Sequence, residues 1–381
     1  MVKTLRSIKH LTRDFLQART FIVNGLYYQL NTFVINMNAP DTKHPTVADV
    51  ARRAGVSTAT VSRVLNQPDA VRENLRRKVG AAVAELGYVP HAGARALMLR
   101  RSGTVGAVFP TIDNAIFATA IEALQRRLAA SDIHLLLATS GYDPEEEMRQ
   151  AINLVTRGAD GLALCGNCQH PELLRFLRQR RVPCVHVMVQ DEGDELVSVG
   201  FNNAAATRQA TQYLLDLGHV NIAMLAGVTR ANDRARQRVT GVREALSAAG
   251  LALPPERLVE RRYTIADART GLRELMTHRP APTAVVCGND VLAFGALLES
   301  AVMGLQVPRD LSIVGFDDLE LARHLQPALT TVQVPTEHMW STAADRLVSA
   351  FQGEPVQRST RIDVALVVRQ STGPVPAGKP A

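Results

Sequence analysis

The sequence has few cysteines and no long apolar run among its 381 residues. Its four cysteines, Cys165, Cys168, Cys184 and Cys287, are too few and too scattered for the disulfide framework of a secreted domain. No apolar run approaches the roughly 20 residues that a membrane helix needs. These absences argue against a disulfide-stabilised extracellular protein and a membrane-spanning protein. We expect a cytoplasmic protein with no membrane partner.

Motifs typical of enzymes and metal sites are also missing. No G-x-S-x-G or G-x-G-x-x-G follows a predicted strand. A P-loop-like match at 373–379 contains prolines, has Pro380 in place of Ser or Thr and precedes no predicted helix. Cys165 and Cys168 have the spacing of half a zinc site, but no second Cys or His pair lies nearby, so we interpret Cys165 as the end of a buried strand. The sequence predicts no catalytic residue, no metal site and no cofactor.

Composition and charge indicate a globular protein with a polyanionic partner. The hydrophobic share is 46% and the charged share 21%, and 381 residues are enough for two or three domains. The formal net charge is +7, and residues 37–100 carry ten Lys or Arg against five Asp or Glu. Cationic side chains gain affinity for nucleic acid by releasing the counterions of phosphates.

The stretch 45–66, PTVADVARRAGVSTATVSRVLN, predicts two short helices joined by a glycine turn. Thr46 can cap the first helix with Asp49 as its capping-box partner, Gly55 ends it, and Ser57 can cap the second helix. Apolar side chains at helical spacing face inward, namely Val47, Val50, Ala51, Val61, Val64 and Leu65. This is the pattern of a DNA-reading helix-turn-helix, although an ordinary surface helical hairpin is the alternative.

A third helix is predicted over 72–86, with Leu75, Val79, Val83 and Leu86 facing inward. The runs TVADVARRAGVSTATVSRVLN, VRENLRRKV and ELGYVPHAGARAL resemble the N-terminal domain of the LacI family of bacterial transcriptional regulators, and the resemblance extends to about residue 369. It implies a small all-α head and a two-lobed, periplasmic-binding-protein-like α/β core of parallel sheets flanked by helices. Arg72 stands where the family often has a capping Ser or Thr, so we expect that cap to be missing.

The resemblance also implies which side chains contact DNA. Thr58, Ala59 and Arg63 match residues that read base edges in the major groove. Arg63 should discriminate most, because an arginine pairs bidentately with guanine while small side chains contact thymine methyls or little at all. Phosphate contacts are implied for Thr46, Ser57, Thr60, Ser62 and Asn66.

The segment 91–101, HAGARALMLRR, resembles the family's hinge helix, which orders when two subunits meet on DNA. Leu97 matches the leucine that this helix wedges into the minor groove, a device that kinks the duplex. A linker with one stray leucine is the alternative interpretation.

Residues 1–36 match no element of the family. They carry five Lys or Arg against Asp14, and their longest apolar stretch is interrupted by Asn, Gly and Gln, unlike a signal peptide. Family members usually begin a few residues before the first helix, where Met37 stands. We expect Met37 to be the true initiator and residues 1–36 to be an over-long gene prediction.

From residue 103, apolar runs alternate with helical stretches: VGAVFP, HLLLATS, GLALCG, PCVHVMV, NIAMLAG, AVVCGND and LSIVGFDD. This alternation predicts parallel sheets with helices on both faces, and ligands bind at the carboxyl ends of such strands. The resulting expectation is an unassigned extension over 1–36, a DNA-binding head over 37–90, a hinge helix over 91–102, a ligand-binding and dimerisation core over 103–370, and a flexible tail over 371–381.

Effector contacts are implied by position within the family pattern. Asn114 and Phe117 lie in the loop after the first strand, although Phe117 could simply belong to the core. Arg238, three residues before Gly241, matches an effector-binding arginine. The other candidates are Asp290 for ligand hydroxyls, Tyr263 for stacking, and Asn202 and Arg234 beside the cleft.

The arginines suggest the type of ligand. Arg234, Arg236 and Arg238 cluster near the expected cleft, and Asn202 replaces an aspartate usual in the family. An anionic effector such as a sugar acid is therefore favoured over a neutral sugar, and parts of the core look most like gluconate-type regulators. One arginine could instead point into solvent or pair with a neighbouring acid.

The sequence predicts a transcriptional regulator, a repressor, that binds a near-palindromic double-stranded operator as a homodimer, because a single helix-turn-helix binds weakly. The tail lacks the apolar heptads of a tetramerisation segment. The alternatives are a stand-alone carbohydrate-binding protein and an α/β enzyme that uses the same cleft.

Overall fold

The structure is a computed structural model, and it describes residues 21–23, 26–28, 45–89, 101–167, 169–190, 193 and 196–375. The chain divides into two units, residues 1–90 and 91–381. In the first unit, strands β1 (Phe21–Val23) and β2 (Leu26–Tyr28) pair antiparallel. A search of the described helices finds none that is long and apolar enough to cross a membrane.

The first unit contains a small helical head formed by α1 (Val47–Ala54), α2 (Thr58–Asn66), a 3-10 turn (Pro68–Ala70) and α3 (Glu73–Leu86). The Thr46 hydroxyl accepts a hydrogen bond from the Asp49 amide at 3.3 Å, and the Asp49 carboxylate accepts one from the Thr46 amide at 3.0 Å. Gly55 ends α1 with a φ of 66°. The predicted capping box and glycine turn are confirmed.

The head has its own apolar core, with Val50, Val61 and Val79 fully buried at its centre. The helical spacing therefore predicted the buried faces correctly. Arg72 precedes α3 and its side chain makes no capping hydrogen bond, as expected from the missing Ser or Thr.

The second unit, which we call the core, alternates strands and helices. Its strands in chain order are β3 (Thr104–Phe109), β4 (His134–Thr139), β5 (Gly161–Cys165), β6 (Cys184–Val187), β7 (Val197–Gly200), β8 (Ile222–Gly227), β9 (Leu258–Arg261), β10 (Ala284–Cys287), β11 (Ser312–Asp317), β12 (Thr330–Gln333), β13 (Ser359–Arg361) and β14 (Ala365–Val367). Its helices are α4 (Ala115–Ala129), α5 (Pro144–Thr156), α6 (Pro171–Arg180), α7 (Asn203–Asp216), α8 (Asp233–Ala248), α9 (Ile265–Thr277), α10 (Asp290–Val302) and α11 (Thr336–Gln352). Short 3-10 turns lie at Pro255–Arg257 and Glu320–Arg323.

These strands form two sheets of six, one for each lobe. The first lobe has the order β13-β7-β6-β5-β3-β4, and each of its neighbouring pairs is parallel. The second lobe has the order β14-β12-β11-β10-β8-β9, and only β14 runs antiparallel to its neighbour. The predicted parallel sheets flanked by helices are confirmed.

The chain crosses between the lobes three times. It leaves the first lobe between β7 and α7, returns between β12 and α11, and leaves again between β13 and β14. One cluster of buried apolar side chains spans both lobes and includes Val105 of β3 and Met224 of β8. The lobes therefore share a core as well as three connections.

All seven apolar runs became strands, but the sequence analysis missed β7, β9, β12, β13 and β14. The missed strands are three or four residues long, and four of the five carry polar residues, as in Thr330–Gln333 and Ser359–Arg361. Such short mixed segments give little periodic signal.

The prediction of a flexible tail was wrong for residues 371–375. Ser371 is fully buried, its hydroxyl donates to the Ile313 carbonyl at 2.6 Å, and its carbonyl accepts from the Ile313 amide at 2.8 Å. Gly373 accepts hydrogen bonds from His219 and Ser312. Polar residues without a period look like a loop in sequence, yet here they pair with the second lobe; residues 376–381 lie outside the described residues.

Candidate functional site

The first candidate site is the outer face of α2 in the head. Thr58, Ala59 and Arg63 are exposed on this helix, whereas its valines are buried. The helix begins at the Ser57 cap, whose side chain accepts from the Thr60 amide at 3.1 Å, and its first turn carries no acid. An exposed N-terminus of this kind favours phosphate, since its free amides and dipole are positive.

The hydroxyls predicted to contact phosphates differ in the hydrogen bonds that they already form within the head. The Thr46 hydroxyl donates to the Asp49 carboxylate at 2.7 Å, and Asp49 also pairs with Arg52 at 2.9 Å. Ser57 and Thr60 share a hydrogen bond of 2.9 Å, and Ser62 is half-buried. The Asn66 side chain and Leu97 lie outside the described residues.

The second candidate site is a cleft in the core at the carboxyl ends of the strands. Three helices of the two lobes direct their N-termini to it, and each begins with an asparagine cap: Asn114 for α4, Asn232 for α8 and Asn289 for α10. Their side-chain oxygens accept hydrogen bonds from amides of the first turn. Three converging helix N-termini make this cleft favourable for negative charge.

Arg238 is held firmly at the base of the cleft. Its Nε donates to the Asn203 side chain at 3.0 Å, one terminal nitrogen donates to the Gly288 carbonyl at 2.6 Å, and its guanidinium carbon lies 3.7 Å from the Phe316 ring centroid. Asn203 is itself fixed by donating to the Met188 carbonyl at 3.1 Å. The charge of Arg238 is thus buried and oriented before any ligand binds.

Asp317 faces Arg238 from the end of β11. Its Oδ1 lies 3.8 Å from the Arg238 guanidinium and has no hydrogen-bond partner within the described part of the chain. Burial raises the pKa of Asp317 to about 7, although Arg238 and Arg234 act in the opposite direction. A φ of 115° is a strained conformation for a non-glycine residue. This buried oxygen is available to accept a hydrogen bond from a ligand.

Arg234 and Asp233 contact the first lobe. The two side chains approach within 3.3 Å of each other, and the Asp233 carboxylate accepts from the Asn167 amide at 3.1 Å. A Cβ on Gly166 would lie 2.1 Å from the Arg234 guanidinium and 2.4 Å from Asp233. The lobes therefore meet here at a distance that only glycine permits.

The cleft contains two connected cavities. The inner cavity, of about 30 Å³, is lined by Phe117, Met188, Arg234, Arg238 and Asp317 among others. The outer cavity, of about 370 Å³, is lined by Thr111, Asp113, Gly141, Val228, Arg230, Arg262 and Thr264, and shares Asn114, Tyr142, Asn232 and Tyr263 with the inner one. The outer volume is that of a small-ligand pocket, whereas the inner one holds about one water.

Two tyrosines separate these cavities. Tyr142 of the first lobe and Tyr263 of the second have ring centroids 6.2 Å apart. Burial raises the pKa of both hydroxyls, so they remain protonated donors. Their faces and hydroxyls can pack against a sugar ring and bond its oxygens.

The predicted effector residues are only partly brought together. Asn114, Phe117, Arg234, Arg238 and Tyr263 line the cleft. Phe117 also packs edge-on against Phe109 at 5.7 Å, so it belongs to the cleft and to the core. Arg236 is exposed and its guanidinium donates to the Thr229 carbonyl at 3.1 Å.

Two residues predicted to contact the effector do not line the two described cavities. Asp290 is fully buried outside the lining, where its oxygens accept from Thr331 at 2.6 Å and from the Leu319 amide at 2.7 Å. Its carboxylate therefore holds two segments of the second lobe together. Asn202 is exposed and caps α7 by accepting from the Ala205 amide at 2.9 Å.

The sequence analysis missed Asp317, Tyr142, Asn232 and Asn289. Each of them follows the carboxyl end of a predicted strand or caps the helix after it. That position was a usable signal, because parallel sheets place their ligands at this edge.

Two family models match parts of this chain. The profile of bacterial regulatory proteins of the lacI family matches residues 46–91, and that of a periplasmic binding protein-like domain matches residues 211–372. The HTH-type transcriptional regulator GntR of Escherichia coli strain K12 is 33% identical over 314 residues, 82% of this chain and 94% of that protein. This chain belongs to the LacI family.

A second LacI-family relative, the ribose operon repressor of the same strain, is 33% identical over 330 residues, 85% of this chain and 98% of that protein. Among solved structures, the lac repressor dimer bound to operator and the anti-inducer ONPF has a TM-score of 0.75 at 28% identity, covering 87% of this chain and 100% of that one. The CelR–cellobiose complex has a TM-score of 0.63 at 32% identity, covering 86% and 99%. These matches give no support to the alternative of a stand-alone carbohydrate-binding protein.

Proposed function

We propose that this chain is a cytoplasmic transcriptional repressor that binds a near-palindromic operator as a homodimer and is controlled by a sugar acid held between the lobes of its core. The observation that carries the choice of effector is the pair of buried arginines, Arg234 and Arg238, in a cleft that also receives three helix N-termini. Nothing in the cleft favours an enzymatic role.

The charge balance of the cleft supports an acid. The two cavities are lined by Arg230, Arg234, Arg238 and Arg262 against Asp113 and Asp317, so cations outnumber anions by four to two. Arg262 is partly neutralised by Asp267 at 2.7 Å. In the inner cavity Asp317 faces Arg238 and Asp233 pairs with Arg234, so the positive potential there comes mainly from the three helix N-termini.

The neutral parts of a sugar acid also have partners. Asp317 offers its unpaired oxygen to a hydroxyl, and the asparagine caps offer amide groups. Phe117, Tyr142 and Tyr263 supply apolar faces for the ring. A few oriented polar groups on an apolar lining are the usual composition of a small-ligand site.

In the proposed mechanism, closure of the two lobes on the ligand controls the affinity for the operator. A ligand that contacts both lobes favours the closed arrangement, in which Asp233 bonds to the Asn167 amide. A ligand can shift an equilibrium only by its difference in affinity for the two states. We propose that closure changes the spacing of two subunits and thereby the operator affinity, with residues 91–102 acting as hinge helices and Leu97 as the minor-groove wedge.

The assembly proposal is supported by apolar surface on each lobe. Leu136 and Leu137 are 39% and 44% exposed on β4, the edge strand of the first sheet. Leu298, Val302 and Met303 are 52%, 68% and 40% exposed at the end of α10 in the second lobe. Exposed apolar patches of this kind mark association sites, and the similar lac repressor structure is a dimer.

The test of the effector is a thermal-shift panel on the purified chain with gluconate, glucuronate and galacturonate, matched against glucose and galactose. A ligand that binds only the folded state raises the midpoint, by about 2.7 kcal/mol of stability at one hundred times its Kd. We expect a shift with an acid and none with its neutral partner. Shifts confined to neutral sugars would disprove the sugar-acid proposal.

The DNA roles are tested with Arg63→Ala on an operator duplex selected from a randomised library. Loss of a bidentate base contact should cost roughly 1 to 3 kcal/mol on the operator and little on random DNA. Arg52→Ala, on exposed α1, is the matched control. An equal loss on both duplexes would make Arg63 a phosphate contact.

A further inference from the structure

Arginines collect at the end of the first lobe where the core chain begins. We call this end the amino edge, because the strands β3, β5 and β6 start there. The amides of Ser102 and Gly103 donate to the Asp160 carboxylate at 3.1 and 2.8 Å, and the His134 amide donates to the Gly103 carbonyl at 2.8 Å. The segments that precede β3, β4 and β5 are thus tied together at this edge.

Two helices end at the same edge. A helix that follows a parallel strand runs back toward the strand starts, so α5 and α6 place their C-termini there. Arg157 is the residue after α5, and a Cβ on the next residue, Gly158, would lie 3.8 Å from the Ser102 Cβ. Arg178 lies in the last turn of α6 and Arg181 follows it. Because β5 and β6 are neighbours about 4.8 Å apart, these arginines share one surface.

The charges of this surface are not balanced by the protein. Arg157, Arg178 and Arg181 are exposed, and among the described residues no carboxylate lies within 4.0 Å of their nitrogens. The nearest acid in sequence, Asp160, is already bonded to Ser102 and Gly103, while Asp132 is exposed at the same edge. Like charges on one surface repel and are relieved by an external anion.

Favourable interaction with the helix C-termini does not by itself explain why three arginines lie at this edge. A cation near a helix C-terminus gains a few tenths of a kcal/mol from the dipole, which accounts for Arg178. Arg181, however, has a φ of 53°, a left-handed position that glycine or asparagine normally fills. An arginine here costs roughly 1 kcal/mol relative to glycine, so local stability disfavours it.

DNA bound by the head is the candidate anion for this surface. Only residues 91–100 separate Pro90 from Arg101, and ten extended residues span at most about 35 Å. DNA held by the head is therefore tethered within reach of the amino edge. We propose that Arg157, Arg178 and Arg181 contact phosphates of the DNA flanking the operator, so that the first lobe adds to the affinity of the head.

The test compares two duplexes that carry the operator selected by the full-length chain from a randomised library. One is trimmed to the operator and the other extends it by 12 base pairs on each side. The variant Arg157→Gln/Arg178→Gln/Arg181→Gln removes the three positive charges of the amino edge. Arg180 is left in place because its guanidinium packs 5.5 Å from the Phe176 ring centroid. The control, Arg208→Gln/Arg243→Gln/Arg323→Gln, removes the same charge from exposed arginines of the second lobe.

Each phosphate contact contributes about 0.9 to the slope of log affinity against log salt concentration. On the long duplex we expect the amino-edge variant to flatten the slope by about 2.7 per subunit relative to wild type, while the control leaves it nearly unchanged. On the trimmed duplex all three proteins should agree. The proposal fails if the two variants have the same slope on the long duplex. It also fails if the amino-edge variant flattens the slope on the trimmed duplex as much as on the long one. A purely structural role would lower the unfolding midpoint without changing the slope.

Discussion

The two lobes of the core have the same strand order but contribute opposite chemistry to the cleft. Strands β3, β4, β5, β6 and β7 of the first sheet correspond in order to β8, β9, β10, β11 and β12 of the second. Even the strand ends agree, since Cys165-Gly166-Asn167 follows β5 and Cys287-Gly288-Asn289 ends β10.

The difference lies in what each lobe presents. The inner cavity receives Phe117, Tyr142 and Met188 from the first lobe, and Arg234, Arg238 and Asp317 from the second. The two arginines are held within the second lobe, Arg234 by Asp233 and Arg238 by the Gly288 carbonyl. The comparison indicates that the second lobe selects the effector by charge, while the first lobe covers it with apolar and neutral surface.

The largest expected effect comes from removing the charge of the second lobe. At pH 8, where Asp317 is ionised, Arg238→Met should weaken binding of a responding sugar acid by about 100-fold or more and lower the free energy of unfolding by roughly 3 to 5 kcal/mol, because Asp317 loses its buried partner. Calorimetric titration and denaturant unfolding measure the two effects. Adding Asp317→Asn should restore stability but not acid binding; recovery of both would contradict the assignment of charge selection to Arg238.

The next comparison concerns the outer surfaces of the lobes. Leu137→Asp on β4 and Val302→Asp on α10 should each weaken the dimer by about 100-fold, since a two-fold axis counts each substitution twice and each buried leucine or valine contributes roughly 1.5 to 3 kcal/mol. Sedimentation equilibrium gives the dimer constant. Val220→Asp, at a side chain 41% exposed, is the control. If only one of the two substitutions weakens the dimer, the two lobes contribute unequally to the dimer interface.

A smaller effect should follow from blocking lobe closure. Gly166→Ala places a Cβ against Arg234 and Asp233, and should weaken the sugar acid about tenfold by disfavouring the closed state. Gly353→Ala is the matched control, because Gly353 lies outside both cavities and has a similar φ of 76° but nothing within 4 Å of the new carbon. Both variants share the backbone cost of a positive φ, so equal affinities would remove closure from the mechanism.

The last prediction concerns the pH dependence of stability that Asp317 causes. Burial raises its pKa from an ordinary value near 4 to about 7, so the folded state holds a proton that the unfolded chain has released. Its contribution therefore makes stability fall between about pH 4 and 7, by no more than about 1.4 kcal/mol per pH unit, and level off above. Asp317→Asn should flatten this decline in urea unfolding, whereas Asp113→Asn at the exposed rim should not.

Local signals allowed the head to be predicted almost completely. The caps at Thr46 and Ser57, the turn at Gly55 and the helical spacing of the valines all act within a few residues, so sequence contains them. The long apolar strands of the core were predicted for the same reason. The short strands β7, β9 and β12 were missed because their pairing partners, not their composition, make them strands.

The residues of the cleft could be predicted from the sequence only in part. Asp317 ends β11 and Asp290 begins α10 three residues after β10, so sequence position gave no reason to prefer one carboxylate over the other. Their roles are decided by neighbours distant in sequence: Thr331 and the Leu319 amide bind Asp290, whereas Asp317 is left facing Arg238. Only the fold determines which carboxylate is already occupied.

The three crossings between the lobes also constrain biosynthesis. The first lobe is interrupted after β7 and completed only by α11 and β13, so all of the second lobe before β14 is inserted within it. As the chain leaves the ribosome, residues 203–333 emerge while the first sheet still lacks its last strand. The second lobe can therefore begin to fold earlier, and its forming surface can guide α11 and β13 into place. A premature stop codon anywhere before residue 359 would leave the first sheet open, however little of the protein was lost.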